Sequence, residues 1–371
     1  MVILPKNLTC LTWIQSQMRT LSFQFARAQL ILQHQETNVC EMKGVTVFVV
    51  CFLTSFIFFV WCLSFERKFP DAVSVSLDGE KMIETSVGAW SERQALRQQL
   101  LRDECSKNPS LKLNMTHVIH NNRKLLWFYI VDDKYRILYG FICKVGSSHW
   151  KSIFLVLKGA FKTVEEIPLG RAHDPSLKKL SQYLPGEIEY RLRNYTTFVF
   201  MRDPLARVLS AYRNKLEEHN APYQKAFGRR IIERYRDNPS KLELETGVGV
   251  TFAEFVRFIT DKDAKNNLER HWKPVYQMVL PCNMHFDYIG KLETGKKDSE
   301  NILRYLRIDH LVHLKEPYKN TSNTEEIFTK YYKTITKEYL HRLYEIYAPD
   351  FKLFGYSMDE DLIQRKNYLL N

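Results

Sequence analysis

The segment from Lys144 to Lys151 has the residue types of a phosphate-binding loop. It joins a short apolar run to the start of a predicted helix. Small residues let backbone N–H groups approach a phosphate, and a helix N-terminus adds partial positive charge. A P-loop kinase of small molecules is one alternative interpretation of this segment. Trp150 stands where the P-loop of such enzymes requires glycine, which argues against that alternative. The candidate phosphate ligands are Lys144, Val145, Gly146, Ser147, Ser148, His149, Trp150 and Lys151.

A second cationic site is predicted around Arg202. The apolar run Thr196–Met201 is typical of a buried strand, and Arg202 follows it directly. Ligands of open α/β sheets bind at the carboxyl ends of the strands. Asp203 is a favourable residue at the start of a helix, and Ser210 lies about two turns further on. An arginine fork and a hydroxyl group together suit a phosphate, so Arg202, Asp203 and Ser210 are the second set of candidate ligands.

Strands and helices in alternation must position these two segments. The run Arg136–Cys143 predicts a strand before the first loop, and Trp150–Phe161 predicts the helix after it. The apolar spacing that follows Asp203 predicts another helix, and Thr251 opens a capping box. Strands separated by helices favour an α/β domain with a central parallel sheet flanked by helices.

The chain is basic, with a net charge of +12 over 371 residues. This charge favours acidic partners in general and does not choose among nucleic acid, anionic lipid, nucleotides and acidic glycans. The stretch Tyr223–Asp237 is especially cationic, and is read either as a solvated helix face or as a docking surface for an acidic glycan. Its basic residues are Lys225, Arg229, Arg230, Arg234 and Arg236.

The run Val45–Phe65 contains no charged residue. It is long enough to cross a bilayer, which requires about 20 apolar residues, and therefore predicts a single transmembrane signal-anchor. The sequons at Asn114, Asn194 and Asn320 all follow this run and favour a lumenal C-terminal part. We therefore expect a type II membrane protein.

The expected organisation follows from this anchor. Met42 is typical of a short cytoplasmic start, in which case residues 1–41 are an upstream extension. The predicted divisions are a cytoplasmic tail 1–44, the anchor 45–65, a polar stem 66–125, a catalytic domain 126–357 and a C-terminal tail 358–371.

Three cysteines follow the anchor, namely Cys105, Cys143 and Cys282, and they allow at most one intrachain bridge. Their pairing stays open. The chain has no C-x-x-C pair and no cluster with metal-ligand spacing, so no metal site is predicted.

The two candidate phosphate sites together resemble those of the membrane-bound Golgi carbohydrate sulfotransferases. Lys144–Lys151 is similar to the family's 5′-phosphosulfate loop, and Arg202 with Ser210 is similar to its 3′-phosphate motif. The resemblance covers roughly residues 126–357, with departures at Cys143, His149 and Val279. Further matching stretches begin at His271, Pro281, Phe286 and Leu343.

This resemblance implies a P-loop-like sulfotransferase fold and a sulfuryl donor, 3′-phosphoadenosine 5′-phosphosulfate (PAPS), without a metal. Lys144 would stabilise the leaving phosphate. The preferred base is His173, which Asp174 could orient; His271 is the rival, beside a tryptophan that could stack on a sugar.

The implied partners are an acidic or amino-sugar glycan acceptor and the Golgi membrane, and not nucleic acid. The chain is similar both to glucuronyl 3-O-sulfotransferases and to N-acetylgalactosamine and chondroitin 4-O-sulfotransferases, so the acceptor hydroxyl stays open. The departures also leave open a catalytically degenerate, membrane-tethered glycan-binding protein. The oligomeric state is not predicted.

Overall fold

The computed structural model describes residues 77–168, 170–261, 268–312 and 325–357, with side chains from residue 88 onward. Its contacts divide the chain into two units, residues 1–79 and 80–371. The predicted cytoplasmic tail, the anchor Val45–Phe65, the tail 358–371 and the sequon at Asn320 lie outside the described residues. Among the helices that are described, none is both long and apolar enough to cross a membrane.

Four strands form one mixed sheet in the order β1-β2-β3-β4. The strands are β1 (Tyr129–Asp132), β2 (Ile137–Gly140), β3 (Thr196–Met201) and β4 (Tyr288–Lys291). The two predicted strands, β2 and β3, are parallel, as the expected central sheet requires. β4 and β1 were not predicted; β4 is parallel to β3, and β1 is antiparallel to β2. A tight turn joins β1 to β2, and so short a connection permits only antiparallel pairing.

Helices cover the sheet and extend beyond it. In the described ranges the α-helices are α1 (Leu77–Lys107), α2 (Met115–Asn121), α3 (Ser147–Leu157), α4 (Pro185–Asn194), α5 (Pro204–Tyr212), α6 (Ala221–Tyr223), α7 (Arg229–Tyr235), α8 (Lys241–Thr246), α9 (Phe252–Thr260), α10 (Tyr276–Val279), α11 (Gly295–Tyr305), α12 (Glu325–Tyr332) and α13 (Lys337–Phe354). Two π-helical turns, Arg213–Glu217 and Gln224–Gly228, follow α5 and α6.

The predicted elements around the candidate site are present with shifted ends. β2 is shorter than the predicted run, and α3 begins at Ser147, three residues before the predicted start. β3 has the predicted bounds. The capping box at Thr251 is confirmed, because Thr251 and Glu254 exchange hydrogen bonds at the start of α9.

Two apolar clusters hold these elements in place. The first surrounds the sheet, where burial of each large apolar side chain contributes about 1.5–3 kcal/mol. β3 and β4 approach closely because Gly290 has no side chain: a Cβ there would lie 2.5 Å from the ring of Phe200. The second cluster packs α5 against α9 and α13 through residues such as Val208, Phe255 and Phe351.

The structure corrects the predicted stem, since residues 88–125 belong to the folded domain. In α1, Trp90 is 1% exposed. The side-chain amide of Gln94 accepts from the peptide nitrogen of Ile289 (2.9 Å) and donates to its oxygen (3.2 Å). α1 thus covers the free edge of β4, where a further strand would otherwise pair.

A disulfide ties the end of α1 to the rest of the domain. Cys105 pairs with Cys282, which follows α10, across a sequence separation of 177. Cys143 is a free, buried thiol. The expectation of at most one bridge among these three cysteines is therefore confirmed.

Candidate active site

The loop after β2 forms an anion-binding cradle. Lys144 and Gly146 both have left-handed backbone conformations, with φ of 72° and 81°. Gly146 is exposed and forms the N-cap of α3 without offering a side chain to it. The first-turn N–H groups of α3 and the helix dipole therefore act together at a point that an anion can approach.

The structure brings the two predicted phosphate motifs together. Nη1 of Arg202 donates to the main-chain oxygen of Lys144 at 3.1 Å. This contact follows from the parallel pairing of β2 with β3, because both loops leave the same edge of the sheet. Arg202 is 4% exposed, and desolvation lowers its pKa to about 10. The guanidinium therefore stays charged at neutral pH.

The other members of the second motif begin and line α5. Asp203 accepts a hydrogen bond from the peptide nitrogen of Ala206 at 2.7 Å and caps the helix. Its own peptide nitrogen donates to Oε1 of Glu293 at 2.8 Å, just beyond β4. Ser210 is 9% exposed. The side chain of Asp203 therefore caps α5, and Arg202 supplies the positive charge of this motif.

Positive charge is concentrated at the cradle. Desolvation, together with the charges of Lys215 and Arg202, lowers the pKa of Lys144 to about 8. A site with clustered, partly desolvated cations is stabilised when an anion binds. Lys215 was not predicted as a site residue from the sequence, because it lies on a π-helical turn that brings it near Lys144 only in the folded chain.

Two predicted ligands have a structural role instead. Trp150 is 2% exposed, and its ring packs 4.5 Å from Phe198 and 5.3 Å from Phe200, between centroids. Val145 is 1% exposed. Their side chains belong to the core, so only main-chain groups at these two positions are available to a phosphate.

Lys151 belongs to a cavity next to the cradle. This cavity measures about 390 Å³. Its apolar side is formed by Trp127, Phe141, Cys143 and Leu177, and its polar side by Lys151, His173, Asp174, Lys179, Gln182, Arg270 and His271. Both predicted candidate bases therefore lie in one cavity. His173 follows α3 and His271 follows α9, 98 positions later, so the sequence alone does not indicate that they are close together.

His271 is held by a carboxylate. Its Nδ1 lies 2.8 Å from Oε2 of Glu269, and the hydroxyl of Tyr223 donates to the same carboxylate at 3.0 Å. His271 is 8% exposed; desolvation lowers its pKa, while Glu269 opposes that shift. A carboxylate only accepts hydrogen bonds, so the proton is on Nδ1 and Nε2 is the basic nitrogen.

The main chain around His271 is fixed from two sides. Arg207 on α5 is fully buried and donates to the main-chain oxygens of His271 and Lys273. Asp350 on α13 accepts from the peptide nitrogen of Val275 at 2.6 Å. Two helices that are distant in sequence therefore determine where the imidazole lies.

His173 has a different environment. Its Nδ1 lies 3.4 Å from Nζ of Lys151, and desolvation together with this ammonium lowers its pKa to about 4. The structure corrects the predicted support from Asp174. That carboxylate accepts from the peptide nitrogen of Ser176 at 2.7 Å and pairs with Arg171 at 3.2 Å.

Trp272 is not a sugar platform. It is 1% exposed, and its ring packs edge-on against Phe227 and Phe255, with centroids 5.0 and 5.4 Å apart. Trp127, 37% exposed, is the aromatic residue that lines the cavity from its surface side. The predicted stacking role at Trp272 is therefore corrected.

The basic stretch Tyr223–Asp237 is partly a structural element. Arg236 pairs with Glu254 at 2.7 Å and with Glu243 at 2.6 Å, and Arg234 pairs with Asp261 at 2.7 Å. Four cations of this stretch are exposed, namely Lys225, Arg229, Arg230 and Arg234, and of these Arg234 is paired with Asp261. The docking interpretation therefore does not extend to Arg234 and Arg236.

Within the described ranges no group of His, Cys, Asp or Glu has the arrangement of a metal site.

The fold and the site define an α/β protein with an anion cradle beside a histidine-lined cavity, the arrangement of a group-transfer enzyme. The sequence profile of the Sulfotransferase family matches residues 127–357. The chain therefore belongs to the sulfotransferase family, whose members are enzymes.

Individual relatives are consistent with this membership. Rat (Rattus norvegicus) "Carbohydrate sulfotransferase 11" is 34% identical over 269 residues, which cover 71% of this chain and 76% of the rat protein. Zebrafish (Danio rerio) "Carbohydrate sulfotransferase 14" is 36% identical over 273 residues, covering 71% and 72%. Human (Homo sapiens) "Carbohydrate sulfotransferase 9" is 32% identical over 273 residues, covering 72% and 60%. No solved structure matches the chain.

Proposed function

We propose that this protein transfers the sulfuryl group of PAPS to a sugar hydroxyl of a glycan. The observation that carries the proposal is the hydrogen bond from Arg202 to the loop of Lys144, which unites two cationic segments beside a cavity with two histidines. The relatives that the chain resembles are named carbohydrate sulfotransferases. We extend the sugar acceptor from the names of these relatives to this chain.

The cradle fits the phosphate groups of the donor. Lys144 and the first-turn amides of α3 would hold the 5′-phosphosulfate, and Arg202 with Ser210 would hold the 3′-phosphate. When bound, PAPS supplies the sulfuryl group and an anionic leaving group. The Lys144 ammonium would stabilise the charge that develops on departure, an electrostatic contribution that is usually large in enzymes.

His271 is the better candidate for the base. Glu269 holds the proton on Nδ1 of His271, so Nε2 can accept a proton from an acceptor hydroxyl in the cavity. Glu269 would also stabilise the imidazolium that forms. Glu269 and Tyr223 are then positioning residues.

His173 is better suited to donating a hydrogen bond. The ammonium of Lys151 faces its Nδ1, which places the ring proton on Nε2. Its pKa of about 4 makes it a weak base at neutral pH. This proposal reverses the order of preference that the sequence suggested.

We further propose that the enzyme works in the Golgi lumen as a type II membrane protein. The anchor-like run and the resemblance support this location, and the Cys105–Cys282 bridge is typical of a domain that folds in an oxidising compartment. The acceptor hydroxyl would be the 3-OH of glucuronate or the 4-OH of N-acetylgalactosamine. These are the two classes to which the sequence is similar.

Radiolabelled PAPS and a panel of glycans test the function. The full-length protein in detergent should label a glycan and release adenosine 3′,5′-bisphosphate in equal amounts. Transfer of phosphate from ATP would instead indicate a kinase. Glycan binding without transfer from either nucleotide would indicate a degenerate, glycan-binding member.

A further inference from the structure

Two lysines share one aromatic ring inside the cavity. Nζ of Lys151 lies 4.1 Å from the centroid of Phe141, and Nζ of Lys179 lies 5.4 Å from the same centroid. Lys151 is 6% exposed. The two ammonium groups come from different segments, one from α3 and one from the loop before α4, so only the fold brings them together.

Neither lysine is matched by a carboxylate within the described part of the chain. The contacts of Lys151 are the imidazole of His173 and the face of Phe141. Lys179 donates to the main-chain oxygen of Leu177 at 2.7 Å. Desolvation lowers the pKa of each lysine to about 8, and Lys151 adds to the effect on Lys179. Two adjacent cations in a cavity are unfavourable until an anion joins them.

The carboxylates that border the cavity are committed elsewhere. Asp174 binds Arg171 and the peptide nitrogen of Ser176, and Glu269 binds His271. The remaining wall suits a sugar: Trp127 is 37% exposed, and the guanidinium of Arg270 lies 5.7 Å from its ring centroid. An exposed aromatic ring beside cations suits a sugar ring that bears a negative charge.

We infer that this cavity binds a uronic-acid residue of the acceptor glycan, with the sugar carboxylate between Lys151 and Lys179. The inference rests on the proposed function and makes it more specific, because it selects carboxylate-bearing glycans over neutral ones. The carboxylate is a binding group here and is unchanged by the reaction. The same pair of lysines could instead receive a sulfate ester, and the experiment separates these sources.

Three matched acceptors make the first test. They are a uronate-containing oligosaccharide, the same oligosaccharide with its carboxyl group reduced to a hydroxymethyl group, and the reduced oligosaccharide bearing a sulfate ester. We expect kcat/KM to fall roughly ten- to hundredfold on reduction, as for loss of a charge-assisted contact. Equal kcat/KM for the uronate and reduced acceptors would overturn the inference and leave the sulfotransferase function intact. Full recovery with the sulfate ester would overturn it in favour of a sulfate site.

A charge variant makes the second test. Lys179→Gln should lower kcat/KM for the uronate acceptor about tenfold and change the value for the reduced acceptor by less than about twofold. Lys179→Arg should retain most of the preference. Lys178→Gln is the matched control, because Lys178 is exposed and its Nζ lies over Tyr183, outside the cavity lining. Equal losses with both acceptors would overturn the inference.

Calorimetric binding of the uronate oligosaccharide provides a readout without turnover. Affinity should fall in Lys179→Gln and persist in Lys178→Gln. Binding with this pattern but without any transfer from PAPS would reject the proposed function and keep the carboxylate site. Binding that is indifferent to residue 179 would reject the site.

Discussion

His271 and His173 face the same cavity, yet their neighbours give the two rings opposite proton arrangements. A carboxylate faces Nδ1 of His271, and an ammonium group faces Nδ1 of His173. The first arrangement leaves Nε2 of His271 as the basic nitrogen, and the second leaves Nε2 of His173 as a hydrogen-bond donor. The residue type alone therefore does not assign the base, because the partner of each ring decides its role.

Replacement of the two histidines should separate their roles. His271→Ala should lower kcat roughly 10²–10⁴-fold, while His173→Ala should cost less than about tenfold. Glu269→Gln should also lower kcat, because the neutral amide cannot stabilise an imidazolium. Each variant is assayed at saturating PAPS, with nucleotide affinity measured by calorimetry as a control for folding. The assignment fails if the His173 variant loses turnover and the His271 variant keeps it.

Arg202 should determine nucleotide affinity. Arg202→Ala should weaken binding of adenosine 3′,5′-bisphosphate roughly 10–150-fold, since a charge-assisted hydrogen bond contributes about 1.5–3 kcal/mol. Calorimetry measures this affinity directly. Arg193→Ala is the matched control, because Arg193 is exposed on α4 and pairs only at the surface, with Glu189. An unchanged affinity in the Arg202 variant would remove it from the nucleotide site.

The pH dependence should reflect the cationic cradle. Lys144 must be protonated to bind an anion, and its pKa is lowered to about 8. We therefore expect kcat/KM for PAPS to fall as the pH rises through about 8. His271 must be neutral to act as a base, and its pKa is lowered from 6.5, so the acidic limb should lie below that value. In Lys144→Arg, any remaining activity should lack the alkaline limb; its persistence would assign the limb to another group.

At the scale of elements, α1 completes the sheet that carries the site. Trp90 donates to Oδ1 of Asp298 at 3.0 Å, and Arg97 donates to Oδ2 at 2.8 Å. Asp298 is fully buried, and it also accepts from the peptide nitrogen of Lys291 at 2.9 Å. Because Lys291 ends β4, α1 helps to position the strand beside Arg202.

Loss of this helix should unfold the domain. A chain that begins at residue 126 would lack α1 and Cys105, whereas one that begins at residue 80 would keep most of the helix and the bridge. We expect the shorter chain to aggregate and the longer one to unfold cooperatively in thermal melts. Within the longer chain, Arg97→Ala should cost about 3 kcal/mol by leaving the buried Asp298 underpaired. Leu96→Ala is the control, with Leu96 64% exposed; a folded 126–371 chain would contradict the role of α1.

At the scale of the whole molecule, a disulfide joins two segments of the domain that are distant in sequence. The Cys105–Cys282 bridge spans 177 positions and typically contributes about 2–5 kcal/mol to the free energy of unfolding. It also requires an oxidising compartment during folding. This requirement agrees with the proposed lumenal orientation.

Glycosylation tests that orientation. Asn114 and Asn194 are exposed on the domain surface, so both sequons should be available to the glycosylation machinery. N-glycosidase treatment of the protein from sealed microsomes should increase its gel mobility, and Asn114→Gln and Asn194→Gln should each remove part of the shift. Protease added outside the microsomes should leave the domain intact. Cleavage of the domain without any glycosidase shift would reverse the proposed topology.

Local sequence determined the elements and the cradle. The apolar runs, the capping box at Thr251 and the glycine that opens α3 are short-range features, and β3 has the predicted bounds. Parallel strands bring their carboxyl ends to one edge, so the meeting of Lys144 with Arg202 also followed from sequence. The contact between the loop of Lys144 and Arg202 therefore lies at the sheet edge that the sequence pattern indicated.

Only the tertiary structure decided which side chains act together beyond that edge. α1 has a polar sequence, yet it packs against the sheet because its side chains donate hydrogen bonds to Asp298 and to the edge of β4, some 190–210 positions away. Glu269 orients His271 while Asp174 turns away from His173, and Lys179 joins Lys151 over Phe141. Such contacts depend on the path of the chain between distant segments. Short-range spacing carries no information about that path, and this is why the cavity was absent from the sequence-based prediction.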